Sequence, residues 1–221
     1  MASVEVRFGQ LDVDEAEVAR CHGLIDKAER ERAALFRYAR DRRRFIVRRG
    51  RLREWLAERV GQPPERLVFT TSEFGMRTLA DTGPRFSTSH SGEYMMAAFA
   101  DTDIGCDIER TDQEIEWRAI VEQLFAPGER KTLGSLLERS GRAAFFDCWV
   151  RKEAFVKALG LGVSYPFDAF DMSVSSDTDL PTVPGWSIAA VSPGSGYAGT
   201  VIVRDDGAPF TVRTLGERQM A

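Results

Sequence analysis

Two stretches of this chain set carboxylates at spacings that bring them together. Ile104-Gly105-Cys106-Asp107-Ile108-Glu109 reads as a strand. Alternate strand residues share a face, so Asp107 and Glu109 point one way while Cys106 and Ile108 enter the core. Adjacent carboxylates require a cation or a proton, and a surface ion pair with Arg110 is the plainer way to supply one. Trp149-Val150-Arg151-Lys152-Glu153-Ala154-Phe155-Val156-Lys157 reads as helix. Glu153 and Lys157 stand there at i and i+4, on one face, where an intrahelical salt bridge is the simple account. Taken together, three carboxylates and a lysine make a site for magnesium and a diphosphate. Magnesium takes hard oxygen ligands, commonly carboxylates plus substrate phosphates, and lysine offers a point charge to a phosphate oxygen.

Phe86-Ser87-Thr88-Ser89-His90-Ser91-Gly92 places the second of two histidines among hydroxyls. Such a cluster can bind phosphate, or the histidine can serve as a structural hydrogen-bonder. Arg37, Arg40, Arg44, Arg48 and Arg51 follow one another at three- and four-residue steps, which on a helix is a stripe. It is either a solvated face or an anion site.

The elements that must position these residues follow from periodicity. Residues 2–8 alternate as an opening strand, followed by a polar loop. Asp26 to Glu58 lacks proline and repeats apolar residues near helical period, with Gly50 expected to weaken or divide the helix. Short strands are expected at Leu67–Thr70 and Phe86–Ser89, with an apolar run at Tyr94–Ala100 and a strand at Ile104–Ile108. Helices are expected at about 117–140, broken near Pro127 and Gly128, and at about 142–159, ended by Gly160 and Gly162. The tail reads as strands at Phe170–Val174, Trp186–Val191, Ala198–Val203 and Phe210–Val212. Strand, helices and short strands thus occur twice, suggesting two α+β halves that meet near residue 103, 1–103 and 104–221, without repetition of sequence.

Composition bounds the rest. The 221 residues are 43% hydrophobic and 29% charged, as in ordinary globular proteins. The net charge of -4 divides unevenly: 18 basic and 17 acidic side chains up to residue 103, then 12 and 17. An acidic whole argues against bulk nucleic-acid binding, although the arginine stripe of residues 37–53 keeps a nucleic-acid-binding or regulatory module as the alternative reading. The opening residues lack the basic start and apolar run of a secretory signal, and no window approaches a membrane span. A cytoplasmic protein without membrane attachment is expected. Cys21, Cys106 and Cys148 are odd in number and widely spaced, as buried reduced thiols would be.

The four elements, in this order and spacing, resemble the surfactin-type family of 4'-phosphopantetheinyl transferases over most of the chain. The family's GxDxE motif is found here as GCDIE and its WxxKExxxK motif as WVRKEAFVK, about forty residues apart and preceded by SHS. Alone each motif is weak; in tandem they are specific. The resemblance implies a magnesium-dependent enzyme, with manganese as a substitute, that moves the phosphopantetheine arm of coenzyme A to a serine of an apo acyl, peptidyl or aryl carrier protein. It implies metal ligation by Asp107, Glu109 and Glu153, with Glu153 also the general base, and a catalytic role for Asp107. Lys157 would hold the diphosphate, Ser89 and His90 the coenzyme's phosphates, and Arg44, helped by Arg32, its 3'-phosphate. Many relatives have asparagine where Ser87 stands and Gly-Lys-Pro at the turn that is Gly75-Met76-Arg77 here, so Gly75 and Arg77 are assigned to the nucleotide, with Arg77 replacing the lysine. The implied fold is a pseudo-dimer: two similar α+β halves, each a small, mainly antiparallel sheet packed with helices, with coenzyme A in the cleft between them. A monomer is expected, because the related holo-acyl-carrier-protein synthases that trimerise are about half as long. The carrier itself, whether from fatty-acid, polyketide, nonribosomal-peptide or reductase systems, is left open.

Overall fold

The computed structural model describes residues 2–81, 83–162, 165–174, 180–206 and 210–215. β1 (Ala2–Gln10) is followed by α1 (Glu15–Leu24), α2 (Lys27–Ala34) and α3 (Ala39–Val60). A small hairpin, β2 (Phe69–Thr71) and β3 (Arg77–Leu79), leads to β4 (Arg85–Ser91), β5 (Tyr94–Ala100) and β6 (Ile104–Arg110). Then come α4 (Trp117–Leu124), α5 (Pro127–Gly134), α6 (Glu138–Leu159), β7 (Trp186–Ala190), β8 (Tyr197–Arg204) and β9 (Phe210–Leu215). The fold is α+β, as expected.

One sheet runs β4-β5-β1-β9 and a second β6-β8-β7. Neighbours are antiparallel, except that β9 pairs in parallel with β1, Ala2 opposite Phe210. The sheets share a core in which Cys106 and Ile108 of β6 pack with Val4, Val6 and Phe8 of β1 and Val201 and Val203 of β8. The other face of β6 lies under α6. A Cβ on Gly105 would stand 1.8 Å from the Ala154 carbonyl and 2.5 Å from the Ala158 nitrogen, so a side chain there would push the helix off the strand. Phe145 and Phe146 of α6 are buried, and Trp149 and Phe155 pack against the same cluster. The three cysteines are free and buried, as expected.

Several local expectations need correction. The polar loop after β1 contains α1, whose weak amphipathicity hides it: Val18 and Cys21 are its buried residues. The long helical stretch divides before α3, at residues 35–38, and Gly50 does not break α3. Gly50 is required by packing, because a Cβ there would lie 2.6 Å from the Cys21 Cβ of α1. Residues 170–174 form no strand; the Phe170 carbonyl accepts from Lys152 and the Met172 amide donates to Glu129, so this backbone is satisfied by buried side chains.

The long helices are anchored alike. α3 and α6 each have 22 residues and each ends on a glycine at positive φ, Gly61 at 67° and Gly160 at 72°, where L side chains are strained. In α2, Glu29 accepts from the Asp26 amide, and in α5, Glu129 accepts from the Ala126 amide. Each glutamate also receives a buried cation from the long helix: Arg53 Nε donates to Glu29 at 2.7 Å, and Lys152 Nζ to Glu129 at 2.9 Å.

Candidate active site

β4 and β6 run side by side without a backbone ladder between them, joined instead by hydroxyls. Ser87 Oγ accepts from the Cys106 amide and Ser91 Oγ from the Arg110 amide, both at 3.0 Å. Ser89 Oγ donates to Asp107 Oδ1 and Ser91 Oγ to Glu109 Oε2, both at 2.6 Å. Residues 87, 89 and 91 therefore face 105, 107 and 109, one period-two row against another. This serine row was legible as Ser-Thr-Ser-His-Ser, yet sequence reading assigned only Ser89.

Over this seam lies α6. Lys157 Nζ donates to Asp107 Oδ1 at 2.6 Å and to the Cys106 carbonyl at 3.2 Å, so its partner is a residue of β6 and not Glu153 of its own helix. Burial pulls the Lys157 ammonium down, but Asp107, Cys106 and Glu153 together outweigh it and the pKa is raised. Burial raises Glu109, with Asp107 adding to it against the Ser91 hydrogen bond. Burial likewise raises Glu153; Lys157 offsets part of this, and Asp107 and Glu109 push it further. The three carboxylates thus lie within electrostatic reach of one another with one ammonium among them. Arg110 pairs with Asp112 at 2.6 Å rather than with either carboxylate of β6.

Do these residues fit a divalent ion? Asp107 is buried, and its Oδ2 has no hydrogen-bond partner, although Oδ1 is doubly satisfied. An orphaned carboxylate oxygen beside two further carboxylates is the hard, anionic donor set that magnesium takes. Among the described residues no three His, Cys, Asp or Glu side chains close on one point as they stand, so the set is assembled in proximity and not as a finished cage. The donors fit the ion.

The wall opposite α6 is α3. A cavity of about 250 Å³ is lined by Arg49, Gly75, Arg77, Thr88, Lys157 and Gly160, among others. A second, of about 300 Å³, is lined by Leu11, Phe36, Arg44, Arg48, His90 and Ser91, among others. The structure therefore brings Arg44 and His90 to one cavity, and Gly75, Arg77 and Lys157 to the other. Arg44 holds Asp12 through two hydrogen bonds, 2.7 and 2.5 Å. Arg32 is exposed on α2, its guanidinium 5.9 Å from the centroid of Phe36. Gly75 turns the hairpin at φ 82°, and Arg77 Nη2 donates to Glu29 at 2.9 Å while lying over the Phe69 ring. His90 sits below the ordinary histidine value, through desolvation by its surroundings first and then Arg48, Lys157 and Arg49, although the residue as a whole is exposed to solvent.

Two more cations line these cavities, Arg48 and Arg49. Burial and then Arg77 push both the Arg48 and Arg49 guanidiniums down to about 10. Arg49 reaches only to 3.9 Å from Glu29, and its Nε is buried without a partner. Arg48 stood in the arginine stripe, but nothing in the stripe separates it from Arg44. The carboxylate that occupies Arg44 lies 32 residues earlier, at Asp12.

Residues 103–186, which hold β6, its carboxylates and α6, match the 4'-phosphopantetheinyl transferase superfamily. The chain is similar to the 4'-phosphopantetheinyl transferase psf-1 of Bacillus pumilus, 33% identical over 162 residues that cover 73% of this chain and 69% of that one. It is 28% identical to the transferase HetI of Nostoc sp. over 200 residues, 87% of this chain and 84% of the relative. Against Sfp of Bacillus subtilis the identity is 27% over 167 residues, 75% and 73% of the two chains.

Proposed function

This chain belongs to the 4'-phosphopantetheinyl transferase superfamily, and on that footing we propose how its own residues carry out the family's reaction. The enzyme moves 4'-phosphopantetheine from coenzyme A to a serine hydroxyl of an apo carrier protein. The serine oxygen bonds to the β-phosphorus, the bridging oxygen of the diphosphate leaves with 3',5'-ADP, and the serine proton passes to a base.

The observation that carries the assignment of roles is the carboxylate and lysine cluster of β6 and α6, with the orphaned Asp107 oxygen at its centre. Asp107, Glu109 and Glu153 would hold magnesium, or manganese in its place. When bound, the ion neutralises charge developing on the diphosphate oxygens, a Lewis-acid contribution of several kcal/mol. Lys157, already beside Asp107, orients a phosphate oxygen by a charge-assisted hydrogen bond. Glu153 makes no hydrogen bond or ion pair with another described residue, so a lone pair is free to take the serine proton directly or through one water. Ser89 fixes the Asp107 carboxylate, and His90, Arg44, Arg48 and Arg49 supply donors for the coenzyme's phosphates. Gly75 and Arg77 shape the hairpin beside the smaller cavity. Arg32, exposed on α2 near the Phe36 ring, would serve as a helper to Arg44.

Coenzyme A then lies between two halves, 1–103 and 104–221, whose parallel anchoring of α3 and α6 supports a pseudo-dimeric layout in a monomer. A cytoplasmic location is part of the same reading; separately, among the described residues no helix is long and apolar enough to cross a membrane. The arginine stripe has no need of nucleic acid: its members at the cavities face the phosphate end of the coenzyme, and Arg51 is buried.

The test is mass spectrometry of a panel of apo carrier proteins incubated with coenzyme A and magnesium. The expected result is addition of the phosphopantetheine mass to at least one carrier, abolished by excess chelator and restored by magnesium or manganese. Full transfer in excess chelator would remove the metal assignment from Asp107, Glu109 and Glu153.

A further inference from the structure

We propose that Arg48, rather than Arg44, is the side chain by which this enzyme recognises the phosphate on the ribose of coenzyme A. The inference rests on the transferase reading above and concerns which of two neighbouring arginines sets specificity. Both line the cavity of about 300 Å³ that also holds His90.

Arg44 is already neutralised. Its Nε and one terminal nitrogen donate to the two oxygens of Asp12, the bidentate geometry that is the strongest arginine–carboxylate contact. To bind a phosphate as a full cation Arg44 must release Asp12, or else bring that negative charge along beside the incoming dianion. Arg48, one turn further along α3, has no such partner. It makes no hydrogen bond or ion pair with a described residue, and its guanidinium carbon lies 5.7 Å from the centroid of the Phe45 ring. The charge that acts on it is a cation, Arg77, and Arg48 acts in turn on Arg49 and His90; Asp41 also lines the cavity but makes no ion pair with Arg48. The side chain is half-buried, and an arginine so placed without a counter-ion weakens the ligand-free fold. Its five donors remain unspent. A phosphate monoester in this cavity would relieve the burial and the cationic repulsion together, and would leave the Arg44–Asp12 pair intact as the wall of the cavity. Arg49 is separate, for it lines the other cavity with Arg77 and Lys157.

Calorimetric titration of coenzyme A and of 3'-dephospho-coenzyme A, in magnesium buffer, decides between the two arginines. For Arg48→Gln, affinity for coenzyme A should fall about tenfold or more while affinity for the dephospho compound stays within about threefold, the scale of a lost charge-assisted contact. Arg44→Gln should change the ratio of the two affinities less than Arg48→Gln does. Asp12→Asn, which frees Arg44, should tighten coenzyme A binding. Ligand-free Arg48→Gln should also melt higher than the wild type, because an uncompensated cation has been removed. An unchanged affinity ratio, a ratio lost only in Arg44→Gln, or a lowered melting temperature for Arg48→Gln would each overturn the assignment. A wild-type protein that binds neither coenzyme would overturn the transferase reading itself, an outcome distinct from a wild type that binds both and a variant that does not differ from it.

Discussion

α3 and α6 are built on one plan and carry opposite charge to the same cleft. Each follows a short helix whose glutamate, Glu29 or Glu129, caps its own N-terminus and takes a buried cation from the long helix. Each buried cation also donates to carbonyls of the loop beyond its helix, Arg53 to Pro64 and Leu67 and Lys152 to Phe170. The difference lies in the balance. Glu29 is approached by Arg53, Arg77 and, at 3.9 Å, Arg49, three cations against two carboxylates once Asp26, which also pairs with Arg53, is counted, whereas Glu129 faces Lys152 alone among the described ion pairs, at 2.7 Å. The α3 side is left with Arg48 and the Arg49 Nε without a hydrogen-bond partner, and the α6 side with Glu153 and one oxygen of Asp107. On the reading proposed above, the α3 side would suit an anion and the α6 side a cation, as a diphosphate with a metal ion would require.

The largest effect should come from removing negative charge on the α6 side. Glu153→Gln should leave the circular dichroism spectrum unchanged and coenzyme A binding within about tenfold, while the rate of carrier modification falls by at least about 10²-fold, the usual worth of a general base. A variant that still modifies a carrier at near wild-type rate would make Glu153 a bystander and reduce the contrast between the walls to Asp107 and Glu109.

Next comes the single-cation node. Lys152→Ala strands Glu129 in a fully buried site and should cost about 3–5 kcal/mol in urea unfolding. The smallest effect belongs to the shared node. Arg77→Ala leaves Glu29 its Arg53 and its amide donor, so the loss should be about 1–2 kcal/mol. Equal losses in the two variants would mean that the nodes are not differently balanced, and the comparison would fail.

Legibility in the sequence followed range. Asp107 and Glu109 could be placed on one face, and Cys106 and Ile108 in the core, because strand alternation is local. Glu153 and Lys157 could be placed together for the same reason on a helix. That Lys157 would bond Asp107, and not the glutamate one turn away, depends on how closely α6 approaches Gly105, and no periodicity encodes that approach. Arg44 and Arg48 are alike on a helical wheel; only Asp12, brought back by the fold, tells them apart. α1 was hidden because much of its surface is polar, and the false strand at residues 170–174 was apolar for a different purpose, covering the buried Lys152–Glu129 pair.

The parallel pairing of β9 with β1 has a kinetic consequence. During synthesis β1 emerges first, and its partner on one side, β5, follows within the first half, but the other edge stays open until β9 is made and must then find Ala2–Arg7 across nearly the whole chain. Such long-range closure is slow compared with the helical contacts around it, and an apolar strand waiting with a free edge invites pairing with other chains. Refolding should therefore show a late phase that reports on the first sheet, and aggregation during refolding should grow with protein concentration in that interval.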